Sequence, residues 1–219
     1  MFTRVQVVGH GRLGSAVAAR LRERGLLSAD RGAELILLCV PDRAIAEVAR
    51  GVGAGPWVAH MSGAVPLAAM DPHTRRFGVH PLQTFRPGGG PEQLDGACAA
   101  VTGENDDARE RGRWLASCLG LHPFDLDESR RALYHAGATV ASNFLVTLYR
   151  AARTLVEAAG APPEGLLPLM RRTMENGFEL TGPIARGDWT TVEAHLAAIH
   201  EHAPELEELY RAMAKATRP

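Results

Sequence analysis

The run Val5-Gln6-Val7-Val8 leads directly into Gly9-His10-Gly11-Arg12-Leu13-Gly14, and Leu13 to Leu21 then carries helical spacing. An apolar strand, a G-x-G-x-x-G turn and a helix in immediate succession admit few architectures. Each glycine answers a steric demand. Gly9 permits the tight turn, Gly11 lets the backbone approach a pyrophosphate, and Gly14 lets helix and strand pack closely. The unpaired N–H groups at the helix start, with the positive end of its dipole, favour a phosphate by about 0.3–2 kcal/mol. The stretch therefore predicts a dinucleotide grip made by Gly9, His10, Gly11, Arg12, Leu13 and Gly14, with a purely structural turn as the other reading.

Further along, Leu35 to Val40 reads as a second strand closed by Pro41-Asp42, and Arg43 to Arg50 as a helix. Trp57 to His60 runs into Met61-Ser62-Gly63, and Phe77 to His80 into Pro81. Cys98 to Thr102 is another strand, followed by a helix from Ala108 to Leu119 after the acidic cap region Asn105-Asp106-Asp107. Strands alternating with helices predict an α/β fold with a mostly parallel sheet of Rossmann type. Ligands of such sheets bind at the carboxyl ends of strands. The segments after Val8, Val40, His60 and His80 are thus expected to rim one crevice, which adds Val40, Pro41, Ser62 and Gly63 to the cofactor-binding set.

The character changes near Asp125-Leu126-Asp127. From Glu128 to Ala159 there is no proline and only Gly137 as a breaker, which predicts one helix about 45 Å long. Leu133, Val140, Phe144, Leu145, Leu148 and Leu155 spread nearly all the way round it, the pattern of a helix buried in a bundle or a subunit interface. Helices are expected again at about 163–176, 189–201 and 204–216, with Thr181 to Asp188 as an irregular connector and Asp188, or a Thr190–Glu193 capping box, starting the next helix. The expected division is a dinucleotide domain over 1–126 and an all-α domain over 127–219, used for substrate binding and dimerisation.

Composition removes other classes. A formal net charge of -1 offers no basic face for nucleic acid, and no apolar run reaches the roughly 18 residues of a membrane span. Cys39, Cys98 and Cys118 are too far apart for a zinc or disulfide framework, and Cys39 reads as a buried, inert thiol. His195, His200 and His202 lack same-face metal spacing and read as surface residues, so no metal is expected. No signal-like segment precedes the first strand, and a cytoplasmic protein is the expectation.

On the long helix, His135, Thr139, Ser142, Asn143 and Thr147 fall at spacings that stack them on one face. Such a stripe is either a structural hydrogen-bond network or the wall of a site in which His135 and Asn143 handle a carbonyl or hydroxyl, histidine being suited by its pKa. His80, opening His80-Pro81-Leu82-Gln83-Thr84-Phe85, and Ser62-Gly63 stand at neighbouring strand ends, with His60 behind them. Arg186, within Thr181-Gly182-Pro183-Ile184-Ala185-Arg186-Gly187-Asp188, is a candidate carboxylate clamp in what is otherwise an interhelix turn.

Gly9 to Gly14, Ser62-Gly63, the His80 to Phe85 run, Tyr134-His135-Ala136 with Ser142-Asn143-Phe144, and Leu180 to Asp188 together resemble one family over nearly the whole chain. It is the family of bacterial Rossmann-like oxidoreductases that carry a C-terminal helical domain of unknown function. More distantly the layout is similar to pyrroline-5-carboxylate reductases, ketopantoate reductases and 3-hydroxyacid dehydrogenases. The resemblance implies an N-terminal NAD(P) domain and a helical domain like the C-terminal one of 6-phosphogluconate dehydrogenase, often dimer-forming, with a site between them. Its activity would be reduction of a small 2-oxo acid or imine, ketopantoate being the first compound to test. The catalytic set is then His135 as proton donor, Asn143 and His80, and the substrate set Ser62, His80, Gln83, Ser142 and Arg186.

Two departures stand out. The better-known relatives place a lysine one helical turn before the asparagine, where this chain has Thr139. Only Gly25 to Gly32 separates the first helix from the next strong strand, room for a vestigial second strand at most. Within it Asp30 could serve the ribose of NAD and Arg31 the 2′-phosphate of NADP. Arg12 and Arg31 favour NADP, with NAD possible. A non-catalytic nucleotide-binding or regulatory dimer is the rival reading that these departures support.

Overall fold

The computed structural model describes residues 1–28 and 32–217. Two compact units divide the chain, Met1–Thr139 and Val140–Pro219.

In the first unit, six strands lie side by side in chain order: β1 (Val5–Val8), β2 (Leu35–Leu38), β3 (Trp57–His60), β4 (Arg76–Pro81), β5 (Cys98–Gly103) and β6 (His122–Asp125). All neighbours are parallel except β4 and β5. The exception follows from the connection. Between Pro81 and Cys98 the proline- and glycine-rich chain forms only a short 3-10 turn, Pro91–Leu94, rather than the crossover helix a parallel return commonly uses. On the far side of β1, Leu27 makes a single parallel bridge to Val5, so the second strand of the usual dinucleotide half is vestigial among the described residues. Asp30 and Arg31, the candidate adenosine contacts, lie outside the described residues.

The period of two in the strands sorts their side chains between two cores. Val5, Val7, Leu35, Leu37, Trp57, Ala59 and Phe77 face a cluster completed by α1 (Arg12–Glu23) and α3 (Asp106–Cys118). Ile36, Leu38 and Val58 face the opposite cluster, with Ile45 and Ala49 of α2 (Ile45–Arg50). Both faces being covered explains why the parallel strands read as continuous apolar runs. Each buried leucine contributes about 1.5–3 kcal/mol of transfer free energy. Asn105 caps α3, its side chain accepting the Ala108 N–H at 2.9 Å. Strand β6 went unrecognised in the sequence, because its edge position leaves no alternating pattern to read.

The long helix expected from Glu128 to Ala159 is not one α-helix. A 3-10 turn, Glu128–Arg130, leads into α4 (Arg131–Thr139), a π turn follows at Val140–Phe144, and α5 runs Leu145–Ala158. A π turn inserts one residue into the helical register, so spacing counted across it no longer defines a face. Burial in a bundle of this chain's own helices is also corrected. Leu133, Val140, Phe144, Leu145 and Leu148 are exposed, Leu133 at 75% of its surface. The compositional change near residue 126 and the division at Thr139 differ because Arg131 anchors α4 to the sheet.

The second unit comprises α5, α6 (Leu166–Glu175), α7 (Trp189–His202) and α8 (Glu207–Ala216). Asp188, not a Thr190–Glu193 box, caps α7, accepting the Thr191 N–H at 3.1 Å. Among its described residues only Val192, Ile199, Ala203 and Ala214 are buried apolar side chains, whereas Val146, Leu167, Leu169, Met174 and Phe178 are exposed. Its helices line an open cleft of about 550 Å³ beside the His195–Tyr210 hydrogen bond of 2.6 Å.

Candidate active site

The glycine turn forms a cradle. Gly9 has φ +107°, and a Cβ there would lie 2.5 Å from the Cys39 carbonyl oxygen, so both its conformation and its space demand glycine. A Cβ on Gly14 would collide with the Gly9 carbonyl. Gly11 is different: a Cβ there would meet nothing of this chain within 4 Å. Its bare backbone caps α1 with no side-chain hydrogen bond, and no acidic residue stands in the first turn. The cleft outside it, about 320 Å³, is bounded by Gly9 to Leu13, Val40 to Asp42 and Ser62. Free N–H groups at a helix start, open space before them and glycine where packing does not require it fit a pyrophosphate. Cys39, beneath the cradle, is inert: burial pushes its thiol up to about 12.

The next strand ends bring histidines together. His60 closes β3 fully buried; its Nδ1 accepts the Ser62 N–H at 3.3 Å and its Nε2 has no partner. Burial first, then the Arg131 charge, drives its pKa down to about 3. Ser62 folds the following loop back, its Oγ accepting the N–H groups of Ala64 at 3.1 Å and Val65 at 3.0 Å, which leaves its hydroxyl hydrogen free to donate. His80, near the end of β4, stands edge-to-face with His135 of α4, ring centres 5.8 Å apart. Both rings converge on Gly63. A Cβ there would lie 2.6 Å from His135 Cδ2 and 2.8 Å from His80 Nε2. His80 Nδ1 is 2.9 Å from Tyr134 Oη. Burial, then His135 and Arg131, lowers the pKa of His80 to about 4, with Asp42 opposing.

Arg131, 4% exposed, holds this arrangement. Its guanidinium donates to the Ser62 carbonyl at 3.0 Å, to Thr102 Oγ1 and, at 2.8 Å, to Glu128 Oε2. Glu128 Oε1 in turn accepts the Leu67 N–H at 2.8 Å. Gly78 leaves the room this network occupies, since a Cβ there would press on Thr102, Arg131 and His60. One arginine thus ties the first turn of α4, which carries Tyr134 and His135, to the ends of β3 and β5. Tyr134 is pushed up to about 12, chiefly by burial.

The first unit therefore gathers the glycine cradle, Val40, Pro41, Ser62, Gly63, His80 and His135. Gln83 is exposed in the same unit, its Oε1 accepting the Thr84 N–H. Ser142, Asn143 and Arg186 belong to the second unit. There Ser142 Oγ donates to Asn143 Oδ1 at 3.0 Å, and Asn143 and Arg186 are exposed. The polar stripe on the long helix is not a network between neighbouring helices at its threonines. Thr139 and Thr147 donate to the carbonyls of His135 and Asn143, four residues back in their own helix.

A family model described as a domain of unknown function, DUF2520, matches residues 97–217, more than half of the chain. The chain belongs to the DUF2520 family. Arg131, Tyr134, His135, Asn143 and Arg186 lie within the matched DUF2520 segment; the glycine cradle, Ser62 and His80 precede it. No curated protein is significantly similar in sequence. Solved structures share the fold across nearly the whole length. A Bacteroides fragilis protein described as a candidate NADP oxidoreductase is 21% identical, with TM-score 0.79, covering 98% of this chain and 97% of its own. Protein TM1727 of Thermotoga maritima is 23% identical, with TM-score 0.79 and coverages of 97% and 96%. A reductive aminase of Aspergillus terreus, in complex with NADPH and ethyl-5-oxohexanoate, is 17% identical, with TM-score 0.63 and coverages of 100% and 96%. They establish a Rossmann-type sheet followed by a helical region as the fold of this DUF2520 chain.

Sequence reasoning missed Arg131 and Glu128. Their one signal was an i,i+3 acid–base pair opening a helix one turn before Tyr134-His135, a pattern that ordinarily marks a solvated surface.

Proposed function

We propose that this DUF2520 protein is an NAD(P)H-dependent reductase of a small 2-oxo acid or imine, with ketopantoate the first compound to test. One observation carries the reading: Ser62 lines the cleft of the glycine cradle, and its neighbour Gly63 carries the His80–His135 pair. A dinucleotide held by Gly9, His10, Gly11, Arg12, Leu13, Gly14, Val40 and Pro41 would extend its reactive end toward Ser62 and Gly63. The cofactor supplies hydride when bound; the protein supplies orientation and a proton from the histidine pair. Ser62, His80 and Gln83 of the first unit are assigned to the substrate. NADP is the first cofactor to test and NAD the second. The fold is shared with an NADPH-bound reductive aminase, which supports the reaction class.

The vestigial strand at Leu27 and Thr139 in place of a lysine favour a second reading, a non-catalytic nucleotide-binding dimer. Quenching of tryptophan fluorescence by NADPH, followed by an absorbance assay with a panel of 2-oxo acids and cyclic imines, separates the two. Saturable binding with turnover supports the reductase, and binding without turnover across the panel supports the rival. We assign the exposed apolar residues of α5 and α6 to a homodimer interface, whose test is the mass of the protein in solution.

A further inference from the structure

His80 Nδ1 and Tyr134 Oη, 2.9 Å apart, share one hydrogen. Either the phenol donates to a bare Nδ1, and Nε2 carries the ring proton, or Nδ1–H donates to the phenol oxygen, and Nε2 is a lone pair. Nε2 and Cε1 of His80 stand over Gly63 beside His135 Cδ2, in the space a side chain would fill. The tautomer chosen on the Tyr134 side therefore decides whether the ring gives or takes a proton on the Gly63 side.

Asp42 faces His80 from the turn after β2, His60 from β3, and His135 and Arg131 from α4; Cys98 of β5 and Arg131 face Tyr134. Arg131 is the permanent cation among them, buried and fixed by the Ser62 carbonyl, Thr102 and Glu128. Burial first, then neighbouring charge, disfavours a second proton on the imidazole. At Tyr134 burial outweighs the field of Arg131 and keeps the phenol protonated, so Oη–H is present to donate to a neutral ring.

We propose that Tyr134 and His80 form a two-member proton relay ending over Gly63, with Arg131 as the positioning residue that ties the helix bearing Tyr134 to the strand ends. The proposal rests on the reductase reading and assigns the proton donor to His80, leaving His135 as the wall that orients its ring. In the transfer, the Nε2–H bond breaks as an O–H or N–H bond forms on the substrate atom receiving the proton. Tyr134 Oη–H breaks as Nδ1–H forms, leaving a phenolate whose charge Arg131 opposes. One solvent proton taken up at Nε2, as Nδ1–H returns to Oη, restores the starting pair. Run backwards, the relay makes Nε2 a base.

The test combines nitrogen-15 NMR of histidine-labelled protein with kinetics on ketopantoate or whichever panel compound turns over. The expected wild-type His80 is neutral and protonated at Nε2 between about pH 5 and 8. Tyr134→Phe should shift that tautomer and lower kcat at least about tenfold with KM nearly unchanged. His80→Gln should cost about 100-fold or more, and His135→Gln only a few-fold. Arg131→Gln should move the His80 titration toward higher pH, and Arg131→Lys should restore it. A wild-type His80 that is protonated at Nδ1, a tautomer indifferent to Tyr134→Phe, or His135→Gln as damaging as His80→Gln would overturn the relay. Absence of NADPH binding would instead remove the reductase reading, while the NMR result still judges the pair.

Discussion

His60 shows at the scale of one residue how burial sets chemistry. An unfolded histidine titrates near 6.5, whereas His60 in the fold titrates near 3 and His80 near 4. Between those values the unfolded chain binds more protons than the folded one, so stability is full above about pH 6.5 and lost as pH falls. The slope approaches about 1.4 kcal/mol per pH unit for each histidine. Urea midpoints at pH 7, 6 and 5 should fall progressively, and His60→Gln should reduce the fall; a flat profile would contradict the assignment. Gly11 and Gly63 make a second contrast. Gly11→Ala has room in the fold and should leave thermal stability within about 1 kcal/mol while weakening NADPH binding, because only the ligand needs that space. Gly63→Ala must displace His80 or His135 and should lower turnover at least about tenfold. The glycines and the strand-end histidines were legible in the sequence because backbone sterics and strand periodicity act locally. Arg131 was not, because only the ends of β3 and β5 turn a helix-opening arginine into a buried one.

Among the elements, α4 depends on its first turn. Removing one partner of a buried ion pair typically costs about 3–5 kcal/mol; Glu128 is 37% exposed, so solvent tempers the figure here. Arg131→Ala should therefore destabilise by roughly 2–3 kcal/mol, read from chemical denaturation, and more than Glu128→Ala. The helix boundaries elsewhere followed local signals: Asn105 and Asp188 cap where a side-chain oxygen meets a free N–H. The π turn at Val140–Phe144 had no such signal, since an inserted residue changes the register without changing composition. The same insertion undid the reading of His135, Thr139, Ser142, Asn143 and Thr147 as one stripe.

At the scale of the whole molecule, the sheet unit buries its apolar residues on both faces, while the helical unit leaves many of its own outside. We expect light scattering to give a dimer, and Val146→Glu with Leu148→Glu to give a monomer with a lower melting temperature. A wild-type monomer at micromolar concentration would remove the assignment. Among the described residues no helix is long and apolar enough to cross a membrane, and no cluster of metal-ligating side chains occurs. The sequence by itself determined the glycine cradle, the strand-and-helix alternation and the shortened segment after α1, because turn sterics and side-chain periodicity are properties of neighbouring residues. Tertiary structure alone decided that Arg131 is buried, that Tyr134 meets His80 and that Gly63 lies under two imidazoles. Those facts depend on which strand ends converge, and the contacts span tens of residues that no local pattern connects.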